Sequence, residues 1–480
     1  MQGSLKVLLT ASSCLFLYWS VQQLSGQSTG GATPSISLPG SQSPFQGSSP
    51  EGNATPEVLQ IDFKDAIDRG LRNNLGLLLA GDQQDSARGE RWKQLAELLP
   101  NIGARAQEAV QTESLAALGL KPSVFHAPLP RVLGPFNYFD LRASLSQSLF
   151  SMKSWDNMRA ASERLKVAQF NVKDARELVV LAVGNSYLQS IAAAARVEAV
   201  EAQVTSAQAL FNKASDQQKA GLTPAIDALR AQVELQTRQQ QLIQARNESA
   251  KSNLSVARVI GLPLGQRFVL TEKAPYEALS PLALEAYLQH AYQERADYQG
   301  ALAQVRAAEL SRKAAQAGHY PTVDLNANYG DIGVTPAHSN GTWQVVGGVN
   351  IPIFAGNRVH ADLLEADAQL KQARSQLGDL RGRIDYEVRA ALLDLNAAAE
   401  QVEVARSSVD LAEQTLAQSQ DRFAAGVADN LEVVQAQEAV AAAHDSYIQS
   451  LYAHNLAKVE LAYSIGDAEQ GVKRYLKGIQ

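Results

Sequence analysis

Seven histidines are the first residues that could do chemistry: His126, His290, His319, His338, His360, His444 and His454. Imidazole serves as a metal ligand or proton carrier when a second ligand or a carboxylate stands at a fixed spacing from it. His444 and His454 are ten positions apart, about 80° off a shared face at ~3.6 residues per helical turn, which is no ligand spacing. All seven read as surface histidines. Cys14 is the only cysteine, which excludes a disulfide framework and a thiolate metal site. Met1, Met152 and Met158 are too few for a soft copper relay. The chain has no phosphate-binding glycine loop and no Gly-x-Ser-x-Gly nucleophile elbow, and no pair of its many carboxylates stands out for acid–base work. The expectation is therefore no catalytic residue, no cofactor, no metal and no enzyme. A net charge of −6 gives no support for a nucleic-acid surface, which would need a basic patch.

Two glycine turns stand out by structure rather than chemistry: Ala220-Gly221-Leu222-Thr223-Pro224-Ala225-Ile226-Asp227 and Ala425-Gly426-Val427-Ala428-Asp429-Asn430-Leu431-Glu432. Each glycine suits a left-handed helix cap. Asp227 and Glu432 each follow the turn, where an acid compensates a helix N-terminus by about 0.3–1 kcal/mol.

The elements that position these turns are unusually long. From Met152 to the first turn the chain reads as one helix of about 67 residues, roughly 100 Å at ~1.5 Å per residue. Helices of globular domains average about 11–12 residues. Val197, Val200, Val204, Ala207 and Phe211 alternate at spacings of three and four, the seam of a coiled coil. A second helix returns to Gly261-Leu262-Pro263. Earlier, Leu59 to Leu79 reads as a short amphipathic helix and another follows to about Leu99, ended by Pro100. Asn101 to about Gln111 reads as a weak strand, followed by a loop with Pro122, Pro128, Pro130 and Pro135. Phe139, Leu141, Ala143, Leu145 and Leu149 alternate with Arg142, Ser144, Ser146 and Ser148, the period of a strand with one apolar and one polar face.

The second half repeats the first. Leu282 to Tyr298 and the stretch to Gly318 read as helices. Strands follow from Pro321 to Tyr329 and from Trp343 to Ile353. A long helix begins after Gly356-Asn357 and ends at Ala425-Gly426, and a last one ends at Gly466. Gly221 and Gly426 differ by 205, as do Gly261 and Gly466. The seam recurs at the same offset as Val402, Ala405, Val409, Ala412 and Leu416. Before the strands the offset is 221, as with Pro100 and Pro321, so the first hairpin loop should be about 17 residues longer than the second.

Strands of about ten residues with one polar and one apolar face have the length and pattern of a water-filled membrane barrel. Four strands cannot close one, and an open edge in lipid leaves backbone groups unpaired at several kcal/mol each. Several chains must then share one barrel. The helices, too long and polar for lipid, would project from it as a water-soluble tube.

At this point the chain resembles the TolC-like outer-membrane efflux proteins, from about Leu59 to Gly466. Leu59-Gln60-Ile61-Asp62-Phe63-Lys64-Asp65-Ala66-Ile67 with Asn73-Asn74 looks like the family's opening helix, the two turns like its helix tips, and Gly261 and Gly466 like the glycines ending its return helices. The resemblance implies a mainly α, duplicated fold with long helical hairpins forming a periplasmic tunnel. It also implies four strands per chain in a trimeric, twelve-stranded barrel embedded in outer-membrane lipid. It implies a homotrimer working with a periplasmic adaptor and an inner-membrane pump of the resistance-nodulation-division or ABC type. The function implied is a passive exit duct for efflux or type I secretion. A periplasmic coiled-coil scaffold without a pore is the alternative. Carried over, the family's adaptor contacts fall on Gly221, Leu222, Thr223, Gly426 and Val427. Its tunnel constriction falls near Asp227, Asp429, Glu432 and Gln435. The family often has an aspartate at the position of Gln435, for which Glu432 or Asp429 would substitute.

The expected domains are a signal peptide over 1–26, a disordered Gly/Ser/Pro-rich leader over 27–56, repeats over 57–265 and 275–467, and a tail over 468–480. The signal reading rests on Lys6, an apolar run from Val7 to Val21 and small residues at Ser25-Gly26. Lipidation at Cys14 and a retained anchor are its alternatives.

Overall fold

A computed structural model describes residues 43–475 apart from 51, 116–129, 131, 273–275, 277–282 and 429. The signal, Cys14 and the first part of the leader lie outside the described residues, as do Pro122, Pro128 and Asp429.

Repeat one opens with β1 (Leu59–Ile61), α1 (Phe63–Asn73) and α2 (Leu75–Ala96). The single helix expected from Leu59 is corrected at both ends. Leu59–Ile61 pairs in parallel with β4 (Phe268–Leu270), the segment after the first return helix. The helix starts only after Asp62, whose carboxylate accepts from the Asp65 N–H at 2.6 Å as an N-cap. Asn74 then breaks the helix with an extended backbone and caps α2 by accepting from the Gly76 N–H at 2.9 Å. The expectation of a disordered leader fails for residues 43–50. The Phe45 ring lies where a side chain on Gly76 would stand, and the Asn74 side-chain amide donates to the Phe45 carbonyl at 2.7 Å.

β2 (Asn101–Ser114) and β3 (Val132–Phe150) form the first hairpin. α3 (Met152–Lys219) and α4 (Ala225–Ile260) form the long helical hairpin. Repeat two supplies α5 (Leu284–Glu294), α6 (Ala296–Gln316), β5 (Thr322–Thr335), β6 (His338–Asn350), α7 (Arg358–Ala424) and α8 (Asn430–Ser464), and α9 (Ala468–Tyr475) follows. The helix expected from Leu282 to Tyr298 is broken at Arg295, which has an extended-side backbone. The first hairpin is the longer one. Its last pair is Ser114 with Val132, whereas Thr335 pairs with His338 in the second. Part of the difference lies in β3 itself, 19 residues against 13 in β6.

The four strands form one antiparallel sheet in the order β2-β3-β5-β6, open at both edges. Below it the helices form a single layer. Near the sheet the order is α2-α3-α6-α7, and toward the turns it is α4-α3-α8-α7. The coiled-coil seams face inward in both repeats. Val200, Ala207, Val402 and Ala405 are buried, and their seam partners half-buried. One 18-residue window of α3 is apolar enough to cross a membrane by composition. Val179, Val180, Val183, Tyr187 and Leu188 are instead buried in a core shared with Ile61, Phe63 and Ile67, where full burial is worth about 1.5–3 kcal/mol per large aliphatic side chain. The Tyr187 hydroxyl donates to the Glu272 carboxylate at 3.2 Å.

The end of repeat two is clasped to repeat one. Glu177 on α3 accepts from the backbone N–H groups of Ala468 and Glu469, the first residues of α9, and Arg176 forms a two-point ion pair with Glu469. Burial pushes the Glu177 carboxyl up to about 7.

Candidate functional site: the helix tips

α3 ends in a Schellman motif. The Leu222 N–H donates to the Gln217 carbonyl at 2.9 Å, and the Gly221 N–H to the Gln218 carbonyl at 2.9 Å. α7 ends the same way, with Val427 donating to Arg422 at 3.0 Å and Gly426 to Phe423 at 3.1 Å. Gly221 and Gly426 hold φ of 72° and 73°. A side chain in that left-handed region costs about 1–2 kcal/mol. Nothing lies where a Cβ would point at either glycine, so the requirement is conformational alone.

Each cap turns the chain so sharply that the next residue meets solvent. Leu222 is 74% exposed and Val427 68%. Ile226 and Leu431, again 205 apart, are exposed beside them. Four large apolar side chains at the end of the molecule are left uncovered by this chain. Thr223 is half-buried.

The acids do not stand free. Asp227 is buried and lies 3.7 Å from Arg230 on its own helix. Glu432 accepts from Arg422 Nε at 3.1 Å, across the turn. Both carboxylates brace the tip, beyond the helix-end compensation expected of them. Among the described candidate constriction residues, Gln435 is exposed, Glu432 half-buried and Asp227 buried.

The two hairpins are fastened to each other just behind the turns. Leu210, Ala214, Ala228, Ala231, Phe423 and Val433 pack as one small cluster, and the Lys213 ammonium lies 5.2 Å from the Phe423 ring centre. Asn430 is fully buried, and its Nδ2 donates to the Asp227 carbonyl at 2.9 Å. Arg422, Phe423 and Asn430 were missed by sequence reasoning. The signal was present: at the repeat offset they stand opposite Gln217, Gln218 and Ala225, so they are departures from the duplication. Replacing Asn430 by alanine removes a side-chain hydrogen bond that ties the two hairpins together at the tips and should destabilise that junction by about 1–2 kcal/mol. The expected readout is a larger single-channel conductance than wild type. Unchanged conductance would show that the bond does not hold the tip.

Higher up, Arg238 pairs with Glu234 at 2.6 Å in a buried ion pair on α4, and Arg196 reaches Asp445 of α8 at 2.9 Å. They flank an open groove of about 680 Å³ between α3, α4 and α8. No nucleophile in it faces a base. Among the described residues no cluster of three or more His, Cys, Asp or Glu side chains could hold a metal ion.

Comparison with known proteins follows the same architecture. The family described as outer membrane efflux protein matches residues 66–262 and 287–467. The alkaline protease secretion protein AprF of Pseudomonas aeruginosa is 22% identical over 332 residues, covering 67% of this chain and 68% of that one. The toluene efflux pump outer membrane protein TtgC of Pseudomonas putida is 22% identical over 410 residues, covering 83% and 82%. Among solved structures, the outer membrane protein VceC of Vibrio cholerae superposes with a TM-score of 0.73 at 20% identity, covering 84% of this chain and 96% of that one. The Campylobacter jejuni CmeC outer membrane channel superposes with a TM-score of 0.74 at 16% identity, covering 93% and 98%.

Proposed function

The chain belongs to the outer membrane efflux protein family, and on that premise we propose how it works: three copies close into one duct, and the helix tips receive a periplasmic adaptor that an inner-membrane pump feeds. The protein is an outer-membrane exit channel for efflux or type I secretion. In this reading it hydrolyses nothing, and cargo moves through it passively.

The single observation that carries the trimer is that every lateral edge of the chain is unfinished. β2 and β6 each leave one side of their backbone unpaired within the sheet. The edge helices are unfinished too. On α4 Ile226, Leu229, Val233, Ile243 and Leu254 are exposed at heptad positions, and on α7 Tyr386, Leu393, Val404 and Leu411 are. A second copy placed against the first pairs β6 with β2 and α7 with α4 by one rotation, and three copies supply the twelve strands that lipid requires to be closed. The apolar residues on the other face of the strands, among them Ile102, Leu141 and Val345, then meet lipid. The adaptor reading rests on the exposed apolar pairs at the tips.

The test is a single-channel recording. The full chain, extracted from the outer membrane in detergent and inserted into planar bilayers, should give discrete conductance steps. A correctly folded trimer that conducts nothing refutes the duct.

A further inference from the structure

The polar face of the sheet carries two arginines at one level. Arg105 on β2 and Arg142 on β3 are directly paired across the strands and so stand on the same face. Like charges opposite one another are destabilising in a sheet. The neighbours on that face are all shorter than arginine: Gly103 and Ser144 on one side, Gln107 and Asp140 on the other, and Gly330 on the far side of Arg142. The guanidinium groups therefore reach further from the sheet than anything beside them.

The two arginines are treated differently. Arg142 Nε donates to Asp140 at 3.1 Å and Nη1 to Asn328 at 2.6 Å, so its charge is balanced and its position fixed. Arg105 is exposed and no carboxylate contacts it among the described residues. Neighbouring acids do not compensate. Glu108 and Asp331 alternate onto the opposite face. Asp324 lies on the same face but about 20 Å along β5 from the Arg142 level, and Glu113 about 27 Å along β2, at ~3.4 Å per residue. Both exceed a Debye length of about 8 Å.

A second copy cannot supply the missing charge from its adjoining strand. The strand that would adjoin β2 is the partner's β6, and His338–Asn350 contains no aspartate or glutamate. No register of that pairing brings a carboxylate to Arg105.

We propose that Arg105, once per chain and unneutralised, forms a cationic ring inside the barrel that draws anions through the exit in preference to cations. The proposal rests on the trimeric duct. Confined by low-dielectric walls, three like charges at one level raise the local concentration of the opposite sign. The solutes it favours at the exit are those bearing carboxylate, phosphate or sulfate groups.

The test reads the barrel alone, so that the constriction at the tips does not mask it. In the full-length trimer with Cys14→Ser, a Gln107→Cys reporter stands on the same face as Arg105, one step further along β2. Negatively and positively charged methanethiosulfonate reagents are added from the extracellular side, and the ratio of their rates is measured with and without Arg105→Gln. The ratio should favour the anionic reagent and fall roughly threefold or more on Arg105→Gln. An unchanged ratio, or a reporter that neither reagent reaches, overturns the ring. The same preparations are recorded in planar bilayers. Conductance with an unchanged ratio refutes Arg105 alone, whereas absence of conductance refutes the duct and the ring with it.

Discussion

Valine at Gly466 should prevent the chain from reaching its folded, assembled state. Gly466 ends α8 with φ of 78°, and its Schellman bonds run from Gly466 to Tyr463 and from Asp467 to Ala462, both at 2.9 Å. A Cβ there would stand 2.9 Å from the backbone nitrogen and Cα of Arg295. That backbone has no route of retreat. Arg295 is 4% exposed, and its guanidinium is held by Asp297 at 2.8 Å, Glu387 at 2.6 Å and the Ser464 carbonyl at 3.0 Å. Left-handed strain of about 1–2 kcal/mol adds to overpacking of about 1–3 kcal/mol, and a branched Cβ worsens both. The sum, about 2–5 kcal/mol before the branching is counted, reaches the lower edge of a domain's stability of about 5–15 kcal/mol. Gly221→Val is the matched control. It has nearly the same φ with open space around it, and should lose only the strain of about 1–2 kcal/mol. Thermal melting of the detergent-extracted proteins separates the two. Equal losses at both sites would show that the approach to Arg295 does not matter.

The other large effect is expected at the opposite end. Leu222→Asp combined with Val427→Asp should leave folding and conductance intact and abolish export that depends on an adaptor. Both side chains are already in solvent, so the isolated protein loses no packing. An adaptor seated on them would have to bury two unpaired carboxylates, a penalty of several kcal/mol and therefore more than about a hundredfold in affinity. The measurement is export in cells beside single-channel conductance of the purified double variant. Export at the wild-type level would place the partner contact elsewhere.

Much of this was legible in the chain because duplication checks each half against the other. The turns at Gly221 and Gly426, the long helices, the inward seams and the strand alternation all recur at a fixed offset, and a pattern seen twice outweighs a weak propensity. Readings failed where a tertiary partner decided the local structure. Leu59–Ile61 looks helical beside Ala66 and Ile67, yet its strand partner lies beyond α4, and no local pattern announces that pairing. Residues 43–50 look disordered because their one large apolar side chain, Phe45, finds its pocket only through the absent side chain of Gly76. At the site the glycine caps were visible by type, Leu222 and Val427 followed from the family resemblance, and the exposed Ile226 and Leu431 were not singled out. The ion pairs of Asp227 and Glu432 were not, since Arg422 and Arg230 stand at different positions in the two repeats.

The clasp between Glu177 and the start of α9 sets an order of events during biogenesis. The hydrogen-bonded groups are 291 and 292 positions apart in the chain. A protein exported N-terminus first delivers Ala468 and Glu469 to the far side only after both long hairpins have passed, and contacts of such separation form late because they close the largest loop. A chain cut short before Ala468 would hold both hairpins yet lack the fastening between its first wall helix and its end. The junction thus distinguishes a chain that has delivered α9 from one interrupted before it.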